Sequence, residues 1–161
     1  MKTSLSMAAA VTLLCAACNT YKSAGDRSLT AVCRGSYVHP STYGDWAQYF
    51  LASVDGKQTL RHAPINADQP QRVDPGHHVV EFGCEGASGP FAGFSKDAKA
   101  TTEVFFEPRK SYTVKGVDEG RIVRMWMEND ETGRRVTPEL LAIKNRGERG
   151  SPLIVPIPVV R

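Results

Sequence analysis

The residue patterns that mark common catalytic sites are missing from this 161-residue chain. It has no G-x-S-x-G nucleophile elbow, no H-E-x-x-H zinc helix and no glycine-rich phosphate loop. Serine hydrolysis, zinc proteolysis and nucleotide chemistry therefore lack their usual residue sets. Histidine is scarce, with only His39, His62, His77 and His78. His77 and His78 are adjacent, so on a strand they point to opposite faces and cannot share one ion. One combination stays open, in which either of them joins His62 and an acid such as Asp74. No recognised ligand spacing marks it, so neither a metal nor a cofactor is expected. Net charge is small, with 20 basic against 17 acidic side chains, which gives no reason to expect nucleic acid. No apolar run reaches the roughly 20 residues of a membrane-spanning helix.

A short apolar run is present near the start. Lys2 precedes it, Met7 to Leu14 form its core, and it ends in small residues before Asn19-Thr20-Tyr21-Lys22. A charged start, a short apolar core and a small-residue cleavage site make a secretory signal peptide. The segment Leu13-Leu14-Cys15-Ala16-Ala17-Cys18 resembles a bacterial lipobox, in which small residues precede a cysteine that is lipidated and becomes the mature N-terminus. Ala16 and Ala17 place Cys18 in that role, whereas Leu13 and Leu14 are too bulky before Cys15. Cys15 itself departs from the pattern, which usually has an aliphatic residue there. In this resemblance Asn19, rather than Asp, after the lipidated cysteine favours the outer membrane. The resemblance implies a lipid anchor and a place on the periplasmic face of the envelope. Plain secretion and a retained signal anchor are the competing readings, and a C-x-x-C redox pair is a third.

Removing residues 1–17 from 161 leaves 144, enough for one domain with a core. The signal takes one Lys and no acid with it, so the remainder has 19 basic and 17 acidic side chains. Cys15 leaves with the signal and Cys18 would carry the lipid, so only Cys33 and Cys84 remain. Two cysteines in an oxidising compartment read as one disulfide. The expected organisation is a signal peptide over 1–17, a linker over 18–28 after lipidated Cys18, and one domain over 29–161.

From Leu29 onward the rhythm is that of strands. Leu29, Ala31, Cys33 and Tyr37 fall on one expected face of a strand from Leu29 to Val38. "QYFLASVDGKQTL" places two apolar runs around Asp55-Gly56, a hairpin signal. "VDPGHHVVEFGC" is a turn and then a strand with His78, Val80, Phe82 and Cys84 on one face. "TTEVFFE" and "SYTVKGV" flank Pro108-Arg109-Lys110, and "RIVRMWMEN" runs into the turn "DETG". Cys33 and Cys84 both face inward in this reading, in keeping with a bridge. About seven short strands predict an all-β, antiparallel β-sandwich of the Ig/transthyretin-like kind. At most one short helix is expected near the C-terminus, in "TPELLAIK", where Thr137 would cap and Pro138 would take the first position. A weaker helix candidate is "GDWAQ".

The order "FLASVDGKQ", "VDPGHHVVEF", "VFFEPRKSYTV" resembles PEGA-type β-sandwich modules and related lipoproteins, over roughly residues 47–117. Asp55-Gly56, Pro75-Gly76-His77 and Tyr112 occupy the turn and strand positions of that pattern. The resemblance implies a fold and an envelope setting, and no shared catalytic site.

Three features point to binding. "GPFAGF" carries Phe91 and Phe94 in a glycine-rich loop, or else tucks them onto the core. "YGDWAQYF" gathers Tyr43, Trp46 and Tyr49 beside a turn, as an interface hot spot or as core. The terminal "SPLIVPIPVVR" reads as an extended proline-rich arm, since Pro156 and Pro158 lack ladder donors. It would close its own sandwich or pair with another protein. The basic groups Arg134-Arg135 and Lys144 to Arg149 read as a solvated face, or as contacts to lipid phosphates. Acids Glu128, Asp130 and Glu131 read as solvated. The expected function is a non-catalytic interaction or structural module whose partners are the membrane, through its anchor, and another envelope protein. The alternative is an inhibitor or immunity-type lipoprotein that blocks a toxin or hydrolase. An enzyme with a His/Asp site is the third class.

Overall fold

The computed structural model describes residues 20–38, 46–59, 69–88 and 94–146. Among them the chain forms eleven strands and no helix: β1 (Ala31–Arg34), β2 (Ser36–Val38), β3 (Trp46–Val54), β4 (Lys57–Gln58), β5 (Gln71–Val73), β6 (Gly76–Ser88), β7 (Phe94–Phe106), β8 (Ser111–Glu119), β9 (Ile122–Asn129), β10 (Leu140–Ile143) and β11 (Asn145–Arg146). They build a β-sandwich. One sheet has the order β10-β9-β8-β1-β5, and the other runs β11-β7-β6-β3-β2, with β4 also paired to β3.

The strands arise where the sequence alternates. In β6, Val80, Phe82 and Cys84 are buried while Val79 is half exposed, as period-2 geometry requires. At Asp55 and Gly56 the backbone has φ of 50° and 72°. Positive φ at both central residues is the type I′ turn whose twist suits a two-residue hairpin, and it joins β3 to β4 with Val54 opposite Lys57. The chain changes sheets between β7 and β8. There Arg109, after Pro108, takes φ 64°, and the Lys110 N–H reaches the Glu107 carbonyl, the pattern of a type II turn. The Phe106 and Tyr112 rings meet edge to face at 5.3 Å across this corner. The Tyr112 hydroxyl accepts the Glu107 N–H at 3.0 Å.

The core lies between the sheets. Tyr49, Val54, Val80, Phe82 and Phe106 enter from one side, and Cys33, Val73, Tyr112, Val114, Met125 and Met127 from the other. Tyr49 of β3 crosses to Gly116 of β8. A Cβ at Gly116 would stand 2.4 Å from the Tyr49 ring and 2.7 Å from the Arg124 carbonyl. Glycine there makes room for the ring.

Several expectations are corrected. "TPELLAIK" is not a helix: Leu140–Ile143 pairs with β9 as β10, which buries Ala142 in the core. The Thr137 hydroxyl accepts the Met127 N–H rather than capping. In "GDWAQ" the described residues Trp46-Ala47-Gln48 begin β3 rather than a helix. A local helical pattern yields here to the partner strands that bury the same residues. The Leu29–Val38 stretch is two strands that break at Gly35 and join different sheets. Tyr37 and Leu29 are therefore exposed rather than inward. The sandwich is also not wholly antiparallel, because β1 runs parallel to β8.

The expected Cys33–Cys84 bridge is absent from the structure, where both cysteines are buried thiols. Inward parity put each in the core, but parity does not set distance. Cys33 stands on β1 between Gln71 and Tyr112, while Cys84 stands on β6 in the other sheet, between Tyr49 and Ala98. Burial, with a smaller effect from Asp130, pushes the Cys33 thiol far above its ordinary range.

Candidate functional site

Residues 20–28, expected to be a linker, are part of the fold. Thr20 forms a parallel bridge with Gln58 of β4, the Tyr21 N–H bonds the Gln58 carbonyl, and the Tyr21 side chain is buried in the core. Asp74 then clasps the segment. Its carboxylate accepts from the Ser23 hydroxyl at 2.5 Å and from the Ala24 and Gly25 N–H groups at 3.0 Å each. The Asp74 N–H in turn donates to the Tyr21 hydroxyl at 3.1 Å. Burial alone would raise the Asp74 pKa, but the hydrogen bonds from Ser23, Ala24 and Gly25 outweigh it and hold the carboxyl below its usual range.

His78 braces the same end of the sandwich. Its Nδ1 is 2.7 Å from the Asp55 carboxylate and its Nε2 is 2.9 Å from the Asp74 carbonyl. Asp55 also accepts the Val79 N–H at 3.0 Å. Burial works against ionisation of Asp55, and the contacts to His78 and Val79 overcome it, leaving its pKa lowered. His78 and Asp74 are thus neighbours, as one metal arrangement required. Yet both imidazole nitrogens are engaged, and the Asp74 carboxylate turns toward residues 21–25. Among the described residues no group of three His, Cys, Asp or Glu is arranged to hold a metal ion. His39 and His62 lie outside the described residues. His77 points to the other face and packs against Phe105, with ring centres 4.8 Å apart and planes tilted by 57°.

The opposite end carries the aromatics. Trp46 begins β3 opposite Ala87 near the end of β6. Its ring stacks on Tyr37 of β2 with centroids 6.1 Å apart and planes 21° apart. Tyr37 is 47% exposed and its neighbour Val38 41%. Of the other residues expected to bind, Cys18, Tyr43 and Phe91 lie outside the described residues, as does the terminal arm. Phe94 opens β7. Tyr49 is core. Tyr37 was placed inward by its spacing from Ala31 and Cys33, and the break at Gly35 turns it outward.

The outer faces are charged and paired. On one, Phe50 lies over Gly83 beside a groove of about 100 Å³ lined by Glu81, Glu85, Asp97 and Lys99. Lys99 bonds Glu81 at 2.7 Å. On the other, Trp126 is covered by the Arg135 guanidinium, 4.2 Å from the ring centre, and its Nε1–H donates to Glu128 at 2.7 Å. Glu128, expected to be solvated, also pairs with Lys115 at 2.7 Å. Lys144 is not part of a solvated face: it is buried, with its ammonium against Asp118.

Comparison of the chain with family models, curated proteins and solved structures returned no match.

Proposed function

We propose that the protein is a lipoprotein of the cell envelope, acylated at Cys18, whose β-sandwich is a non-catalytic module that binds another envelope protein from the periplasmic face of the outer membrane. The observation that carries this reading is the stacked Tyr37–Trp46 pair. Tyr37 and Val38 are exposed, and among the described residues β2 ends its sheet order. Aromatic anchors are favoured at the centre of protein interfaces, and a strand at the end of a sheet offers backbone for pairing. The titratable groups that an enzyme reading would use instead brace the fold, as His78 does between Asp55 and Asp74.

Acylation is tested by labelling cells with a fatty acid analogue. The wild-type chain takes up label and sediments with membranes, and Cys18→Ser does neither. Uptake by Cys18→Ser, or wild-type protein that stays soluble, overturns the anchor. Trp46→Ala and Tyr37→Ala should keep acylation and fold while losing partner binding.

A further inference from the structure

Thr20, two residues after Cys18, and the aromatic pair lie at opposite ends of the sandwich, and this sets how an acylated module would stand on its membrane. Only Asn19 separates Cys18 from Thr20. Two residue steps span at most about 7 Å, so a lipid on Cys18 holds Thr20 close to the bilayer. Thr20 bridges Gln58 in parallel, and Gln58 pairs with Ser53 near the end of β3. Chain direction at Thr20 therefore follows β4, away from the Asp55–Gly56 tip, and the amide side of Thr20 faces that tip. The Tyr21 ring in the core and the Asp74 clasp then fix the segment to the body of the domain. Trp46 is seven residues from Ser53 along β3, roughly 23 Å at the rise of a strand. The acids at the anchored end, Asp55 and Asp74, are occupied by His78 and the clasp. Lys22 and Lys57 are exposed beside the bridge, and their ammonium groups suit headgroup phosphates.

We infer that the sandwich stands end-on against the bilayer surface, with the Asp55–Gly56 turn and Lys57 down and the Tyr37–Trp46 pair directed away. This rests on acylation at Cys18. The device is a tether without slack. It denies the aromatic pair to the membrane and offers it to a partner at a fixed height, where a flexible linker would let the domain roll.

The test uses the full acylated chain in vesicles of phosphatidylethanolamine and phosphatidylglycerol that carry an energy acceptor on a headgroup. A donor dye is placed at Lys57→Cys in one sample and at Val38→Cys in another, both exposed positions, while Cys33 and Cys84 stay buried. The two single-dye variants must keep the wild-type melting temperature. The dye at 57 should lose most of its emission to the acceptor, and the dye at 38 should keep most of its own. Adding Asp74→Ala should narrow the gap, since it opens the clasp. Equal quenching at 38 and 57 in vesicle-bound protein overturns the orientation alone. Protein that fails to bind vesicles overturns the anchor and the orientation together. A gap unchanged by Asp74→Ala overturns the clasp as its cause.

Discussion

Replacing Asp74 with Ala tests whether the N-terminal segment belongs to the folded unit. Three short hydrogen bonds reach this carboxylate, from Ser23, Ala24 and Gly25, with a longer one of 3.4 Å from Tyr21. Each is worth about 1 kcal/mol net, and less where water competes. Freeing residues 22–26 returns backbone entropy, which offsets part of the loss. The net cost is about 2 kcal/mol, or a fall of roughly 6 °C in Tm for a domain of this size. Asp74→Asn, which keeps one acceptor, should lose about half as much. Hydrogen exchange should localise the effect, with the Ala24 and Gly25 amides losing protection while β6 and β9 keep theirs. The effect should also depend on pH. Because the folded carboxyl titrates below its ordinary 3.8, its contribution is complete above that value and is lost as pH falls through the folded pKa. Wild type and Asp74→Ala should then differ at neutral pH and converge in acid. Unchanged Tm together with unchanged exchange at Ala24 and Gly25 would refute the clasp.

Two glycines with similar close contacts should respond differently. At Gly116 an added Cβ meets the Arg124 backbone and a Tyr49 ring fixed between the sheets, so Gly116→Ala should cost about 3 kcal/mol by overpacking. At Gly83 the nearest atoms to the Cβ belong to the half-buried Phe50 ring on the outer face, a side chain less confined than Tyr49, so Gly83→Ala should cost less, about 1 kcal/mol. Equal costs by urea denaturation would contradict the packing described. For the cysteines, alkylation without reductant should spare Cys33 and Cys84 in the folded protein and modify both once it is denatured. If both resist until reductant is added, they are bridged.

The hairpin at Asp55-Gly56, the inward face of β6 and the general all-β architecture were legible because local chemistry dictates them. A two-residue turn needs positive φ, and a half-buried strand needs alternation. What was not legible depended on distant partners. Leu140–Ile143 has helix-forming residues, but β9 supplies an edge that buries Ala142. Tyr37 follows the parity of Cys33 only if the strand continues, and it does not. Tyr21 sat in a presumed linker, although a lone aromatic between Asn19 and Gly25 was a sign that the segment packs. Face parity correctly placed Cys33 and Cys84 in the core, and said nothing about whether two sheets bring them together. Of the aromatic pair, Trp46 stood out in "YGDWAQYF", and its stack on Tyr37 required the pairing of β2 with β3.

The interaction role is tested most directly by photocrosslinking in living cells from a probe at Val38 in the acylated chain, followed by mass spectrometry of the adduct. The account predicts one dominant envelope protein. Its capture should be lost in Trp46→Ala, which stays acylated and folded, and kept when Trp126→Ala removes the tryptophan that Arg135 covers on the other sheet. No reproducible adduct, or an adduct indifferent to Trp46, would contradict it.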